Sequence, residues 1–135
     1  MSTNTALVGE RIVHKAFPPI TRHRLALYCG ASGDHNPIHV DLDFARQAGF
    51  SDVFSHGMLV MAYLGQALTD AVEPSRIRSF STRFAAITQL GAKLTCEGTV
   101  TELFEDECEK RAKLALTTKD QNGEVKLAGE AIIAV

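Results

Sequence analysis

The residues from Gly57 to about Val72 constrain the fold of this chain most, because Met58, Leu59, Val60, Met61, Ala62, Tyr63, Leu64, Ala67 and Leu68 cover every face of a helix. A helix that is apolar all round must be buried. The segment after Pro74 supplies the cover: Arg76 to Ile87, Ala92 to Phe104, Cys108 to Lys119 and Glu124 to Val135 are rich in Val, Ile, Thr and Phe and read as strands. Between the last two, Asp120-Gln121-Asn122-Gly123 carries the Asn-Gly pair that favours a hairpin, so these runs are expected to pair antiparallel. One buried helix followed by an antiparallel meander has an economical packing, a sheet curled around the helix, which is an α+β class. Such a small sheet leaves an edge strand and some apolar surface uncovered, which predicts pairing with a second copy.

The first half of the chain reads as a strand and short helices around a stiff loop. Ala6 to Ile20 alternates and is closed by Pro18 and Pro19, as expected of one strand and a turn. Thr21 can cap a helix over 21–31, which Gly30, Ser32 and Gly33 end. The turn formers from Gly33 to His39 predict an ordered loop, with Pro37 biasing Asn36 away from helical geometry. Asp41 then offers a cap for a short helix from Leu42 to Ala48, ended by Gly49.

With 135 residues the chain is expected to be one domain, 1–135. It has 14 basic and 16 acidic side chains, a net charge of -2 and no run of Lys or Arg, which argues against a nucleic-acid partner. The longest apolar stretch, Gly57 to Leu68, is shorter than the roughly 20 residues of a membrane span. Met1 to Glu10 has no basic start followed by an apolar stretch, so no export signal is read there and the cytoplasm is the expected location. Cys29, Cys96 and Cys108 are odd in number and lack C-x-x-C spacing, and are expected to be free thiols.

The chemistry-bearing stretch is Tyr28 to Asp41, YCGASGDHNPIHVD, where Asp34 and His39 lie five positions apart on the stiff loop. Hydration of an α,β-unsaturated carbonyl requires a water held between two groups that can exchange protons with it, one ideally titrating near neutrality. Asp34 and His39 suit that task. The enolate-like oxygen that develops on a thioester carbonyl needs a fixed donor, and a backbone N–H at a helix N-terminus supplies one. Ser55-His56-Gly57-Met58 stands at the start of the apolar helix, and Gly57, having no side chain, admits a carbonyl close to its N–H.

The pattern Y-x-x-x-S-G-D-x-N-P-I-H-x-D followed by S-H-G-M resembles the MaoC-like, or R-specific enoyl-CoA hydratase (hydratase 2), family. The resemblance implies a hotdog fold, catalytic roles for Asp34 and His39, an oxyanion-binding Gly57 and an associated Asn36. It implies a (3R)-hydroxyacyl or trans-2-enoyl substrate carried on coenzyme A or acyl carrier protein, a role in fatty-acid metabolism, dimeric assembly, and no cofactor or metal. Two departures stand out. Ala62-Tyr63-Leu64-Gly65 lacks the serine that some members carry near the site, and the stretch from Arg83 to Ala92 lacks the proline and G-D pair that usually follow R-F. The dehydratase subunits of mycobacterial fatty-acid elongation share the motif style.

Ser55, His56, Gly57 and Asn36 are thus grouped as oxyanion- and substrate-binding positions. Each also has a plainer role: Asn36 tying down its own loop, His56 capping or packing against the helix, and Met58, Met61 and Tyr63 filling the core. The cluster Asp34, His35, His39, Asp41 and Asp43 contains metal-ligand types, but no H-E-x-x-H occurs and the calcium-loop pattern lacks its sixth-place Gly. The Arg and Lys scattered over the strands read as a solvated face. Two further activities suit the same pattern, an acyl-CoA thioesterase on this fold and a non-catalytic acyl-binding subunit of a heterodimer.

Overall fold

Alternation of buried and exposed residues builds the sheet. In β4 (Glu109–Lys119) Ala112, Leu114, Leu116 and Thr118 are buried, and in β3 (Thr95–Asp106) Cys96, Gly98 and Val100 are buried, so both strands turn one face inward. They are joined by β1 (Arg11–Ala16), β2 (Ile77–Phe84) and β5 (Val125–Ala134) in one antiparallel sheet of order β1-β3-β4-β5-β2. The computed structural model describes residues 6–135, so the reading of Met1 to Glu10 lies partly outside the described residues.

The helices are α1 (Arg22–Ser32), α2 (Leu42–Gln47) and α3 (Gly57–Ala71). The Thr21 hydroxyl caps α1 by accepting from Arg24 N, and the Asp41 carboxylate caps α2 by accepting from Phe44 N. α3 lies in the concave side of the sheet and touches β1, β3, β4 and β5, with Leu59, Val60, Tyr63, Leu64, Ala67 and Leu68 pressed into the core. This curled sheet around a central helix is the hotdog arrangement.

Two sequence expectations are corrected and a third is refined. The strand expected from Ala6 to Ile20 is confined to Arg11–Ala16, because a turn between Leu7 and Glu10 precedes it and Pro18 and Pro19 follow. The ordered loop expected from Gly33 to His39 is present, and it ends in a 3-10 turn, Pro37–His39, since the fixed backbone of Pro37 suits the first position of a helical turn. α3 is not buried all round. Met58, read as core, is 55% exposed, and Gly57, Ala62, Gln66 and Thr69 extend the same open stripe, because one chain's sheet covers a single side of the helix.

Two local features fix the strand geometry. β3 and β4 are joined through Glu107 and Cys108, both at positive φ (50° and 59°), a two-residue reversal whose twist matches the strands although neither residue is glycine. Cys108, expected to begin a strand, is therefore a turn residue. At the other side of the sheet Gly129 of β5 faces Thr82 of β2, and a Cβ there would lie 2.1 Å from the Ser81 carbonyl oxygen. Gly129→Ala is expected to push β2 outward and cost about 2 kcal/mol or more. The thermal midpoint should then fall by about 5 °C or more; an unchanged midpoint would show that β2 is not held this close.

Candidate active site

The loop after α1 is folded by its own side chains. Gly33 takes the left-handed conformation (φ 78°) that ends the helix, its N–H bonding Cys29 O. The Asp34 carboxylate accepts from Asn36 N at 3.2 Å, and the Asn36 amide oxygen accepts from Ile38 N at 3.1 Å. Two successive side-chain-to-backbone turns thus run directly into the 3-10 turn that carries His39.

His39 is buried, and its ring is oriented from behind. Nδ1 lies 2.8 Å from the Phe54 carbonyl oxygen, which can only accept, so Nδ1 carries the proton and Nε2 is left as a bare acceptor. That nitrogen faces Asp34 Oδ2 across 4.0 Å, with the Asp34 side chain 53% exposed. The gap is too long for a direct hydrogen bond, and a water about 2.8 Å from each group fits it.

His56, the residue before α3, lies beneath this pair. Only 1% exposed, its ring stacks on that of His39 with centroids 3.8 Å apart and planes 24° from parallel, while Tyr28 meets it edge-on. Nε2 is 3.3 Å from the Asp34 carbonyl oxygen and 3.5 Å from Cys29 Sγ, so the proton sits on Nε2. Nδ1 is buried without a partner, an omission that costs about 1–3 kcal/mol. Of the two plainer roles expected of His56, packing is present, whereas capping is absent, since its side chain makes no cap hydrogen bond. Nor does so buried a ring face a ligand directly.

Gly57 opens α3 and its first-turn N–H groups have no partners within the helix. The Phe84 ring lies against it, its Cε1 3.0 Å from where a Cβ would be. Gly57, Ser55, Val60, Phe84, Ile87 and Lys126 all line one cavity of about 320 Å³. The Ser55 hydroxyl donates to His56 O, and Ser55 N bonds Thr88 O, tying the start of α3 to the segment after β2. Lys126 is buried there, donating to Ile87 O at 2.9 Å and pairing with Glu124 and Asp120. Gln89 donates to Asp120, which with backbone N–H groups keeps that carboxyl below its ordinary range.

Phe84, Lys126 and Cys29 were not singled out from sequence. Phe84 lay inside a strand run, and the inward parity of Lys126 was its one signal. Among the described residues, Asp34, His39 and His56 form the only group that brings three side chains of metal-ligating type within 4.8 Å, whereas the Asp41 carboxylate is spent on capping α2. The donor set does not suit a metal. A ligating histidine almost always donates its other ring N–H, as His39 does to Phe54, and on His56 no acceptor is present for Nδ1.

A family model described as "MaoC like domain" matches residues 3–123. The (R)-specific enoyl-CoA hydratase of Rhodospirillum rubrum is 33% identical over 118 residues, covering 86% of this chain and 80% of that protein. The fatty acid synthase subunit beta of Aspergillus oryzae is 35% identical over 111 residues, and the chain spans 5% of its length. The solved structure of R-hydratase PhaJ1 from Pseudomonas aeruginosa superposes with a TM-score of 0.84 at 28% identity, over 97% of this chain and 83% of that one.

Burial, then the neighbouring His39, pushes the pKa of His56 below its ordinary 6.5. In acid the unfolded chain therefore takes up a proton that the folded chain refuses, so stability is full above pH 6.5 and is lost as pH falls below it. Denaturant midpoints between about pH 7.5 and pH 5.5 should fall more for the wild type than for His56→Phe. Equal slopes for the two proteins would show that His56 is protonated freely in the fold.

Proposed function

This chain belongs to the MaoC-like domain family, and from that premise we propose that it adds water reversibly across trans-2-enoyl thioesters to give (3R)-hydroxyacyl thioesters. The carrier is coenzyme A or acyl carrier protein, the setting fatty-acid metabolism. One observation carries the proposal: two bare acceptors, Asp34 Oδ2 and His39 Nε2, face one another across 4.0 Å.

A water in that gap gives one hydrogen to each acceptor, which leaves an oxygen lone pair aimed outward at the substrate. In hydration this oxygen bonds to C3 of the enoyl group as one of its O–H bonds breaks, the proton passing to the Asp34–His39 pair, which in turn delivers a proton to C2 on the same face. The π electrons move toward the thioester carbonyl, and the Gly57 N–H holds its developing charge, a contribution of about 3–4 kcal/mol for a donor of this type. Dehydration is the same path reversed. Asp34 and His39 act as a coupled pair. Asn36 serves by fixing the loop, and Ser55 by fixing the start of α3. The chemistry needs no group beyond these side chains, the backbone and water.

We further assign the chain as one domain acting in the cytoplasm as a homodimer. The free thiols Cys29, Cys96 and Cys108 suit a reducing compartment. The open stripe on α3, the exposed apolar side chains Met58 of that helix, Phe84 of β2 and Ile87 beyond it, and β2 at the sheet edge together support a second copy as the cover.

Two measurements test this. With crotonyl-CoA and longer enoyl-CoAs, loss of the conjugated-thioester absorbance should proceed in the wild type and slow by about 10² to 10⁴ in both Asp34→Asn and His39→Gln; wild-type turnover no faster than either variant would discard the assignment. Light scattering should give a solution mass twice the chain's 14.6 kDa, and a monomeric active enzyme would remove the homodimer.

A further inference from the structure

We propose that His56 is a positioning residue for the reaction, a buried imidazole that holds the His39 ring and the Asp34 main chain in one register so that the gap between the two proton-handling groups is preserved. The inference rests on the hydratase reading above and goes beyond it, because His56 touches neither the water nor the thioester.

Three contacts converge on one side chain. The face of His56 lies on the face of His39, whose ring is held elsewhere by the hydrogen bond to Phe54 O and by an edge contact with the Phe54 ring. The His56 Nε2–H reaches the carbonyl oxygen of Asp34, the residue whose carboxylate forms the other wall of the gap. Tyr28 closes the edge of the ring from α1, and its neighbour Cys29 approaches Nε2. A loop of exposed residues is thereby fastened at both of its working positions to the start of α3, the element that also presents Gly57. The acid, the imidazole and the oxyanion donor share a single clamp.

The unpartnered Nδ1 is the independent sign that packing alone does not select this residue. A phenyl ring of similar size would fill the same space with no orphaned acceptor, so retaining imidazole sacrifices stability for what Nε2 does. The neutral state favoured by burial serves the same end, since a charged ring stacked on His39 would oppose any proton arriving there.

The test uses the full chain with three substitutions: His56→Phe keeps a stacking ring without the Nε2–H, His56→Gln keeps an N–H donor without the ring, and His56→Ala keeps neither. All three are followed by thermal denaturation and by steady-state hydration of crotonyl-CoA. The expected result is a loss of kcat of up to about 100-fold in His56→Ala, the scale on which misplacement of a catalytic group acts. KM should stay within about twofold, because the ring contacts no substrate. Phe and Gln should each restore part of the rate, with His56→Phe at least as thermally stable as the wild type. In proton NMR the His39 Nδ1–H, held on Phe54 O, should be a sharp downfield resonance in the wild type and broaden in His56→Ala. Wild-type kcat in folded His56→Ala, a raised KM with unchanged kcat, or rates in all three variants that merely track the folded fraction would each overturn the inference. An inactive wild type would instead overturn the hydratase reading itself.

Discussion

Burial of α3 is the constraint on which the rest of the structure depends. A single chain cannot leave Leu59, Val60, Leu64, Ala67 and Leu68 in water, and the curled sheet is the surface that removes them from it. Once the helix is seated, the position of its N-terminus is fixed, and with it the free N–H groups of the first turn. The segment before the helix, Val53 to His56, is pinned by the Phe54–Gln89 bridge and the Ser55–Thr88 bond. Rigid scaffolding is thus delivered to the place where an otherwise exposed loop must be held.

In the arrangement built on that scaffold the ring protons are disposed in advance. Each imidazole has one nitrogen committed to a backbone carbonyl, His39 through Nδ1 to Phe54 and His56 through Nε2 to Asp34. The two rings therefore present opposite edges, and only His39 turns a bare nitrogen to the Asp34 carboxylate. The division of labour follows from which carbonyl each can reach. Neighbouring electrostatics reinforce it: desolvation keeps the inner ring neutral, so no positive charge competes for the space beside the outer one.

Much of this was legible in the sequence because local rules and tertiary burial agree. The caps at Thr21 and Asp41, the helix end at Gly33 and the four strands after Pro74 are where propensity and periodicity put them. The proximity of Asp34 and His39 was legible from a short stiff loop. Less legible were features that depend on distant segments meeting. The reversal at Glu107-Cys108 has none of the glycine or asparagine that marks such turns, since the pairing of β3 with β4 imposes it. The burial of His56 beneath His39 joins residues seventeen apart in sequence, and the approach of Phe84 to Gly57 needs β2 drawn onto β5. The open stripe on α3 could not be read from composition either, because apolar spacing gives no hint of which side one chain fails to cover.

Phe84 occupies a singular place, at the end of the outermost strand and flat against the one residue of the α3 start that has no side chain. The free edge of β2 and the cavity that Gly57 lines therefore share one aromatic ring. The same aromatic group is both the last brick of the sheet's rim and the door-post of the cavity behind it.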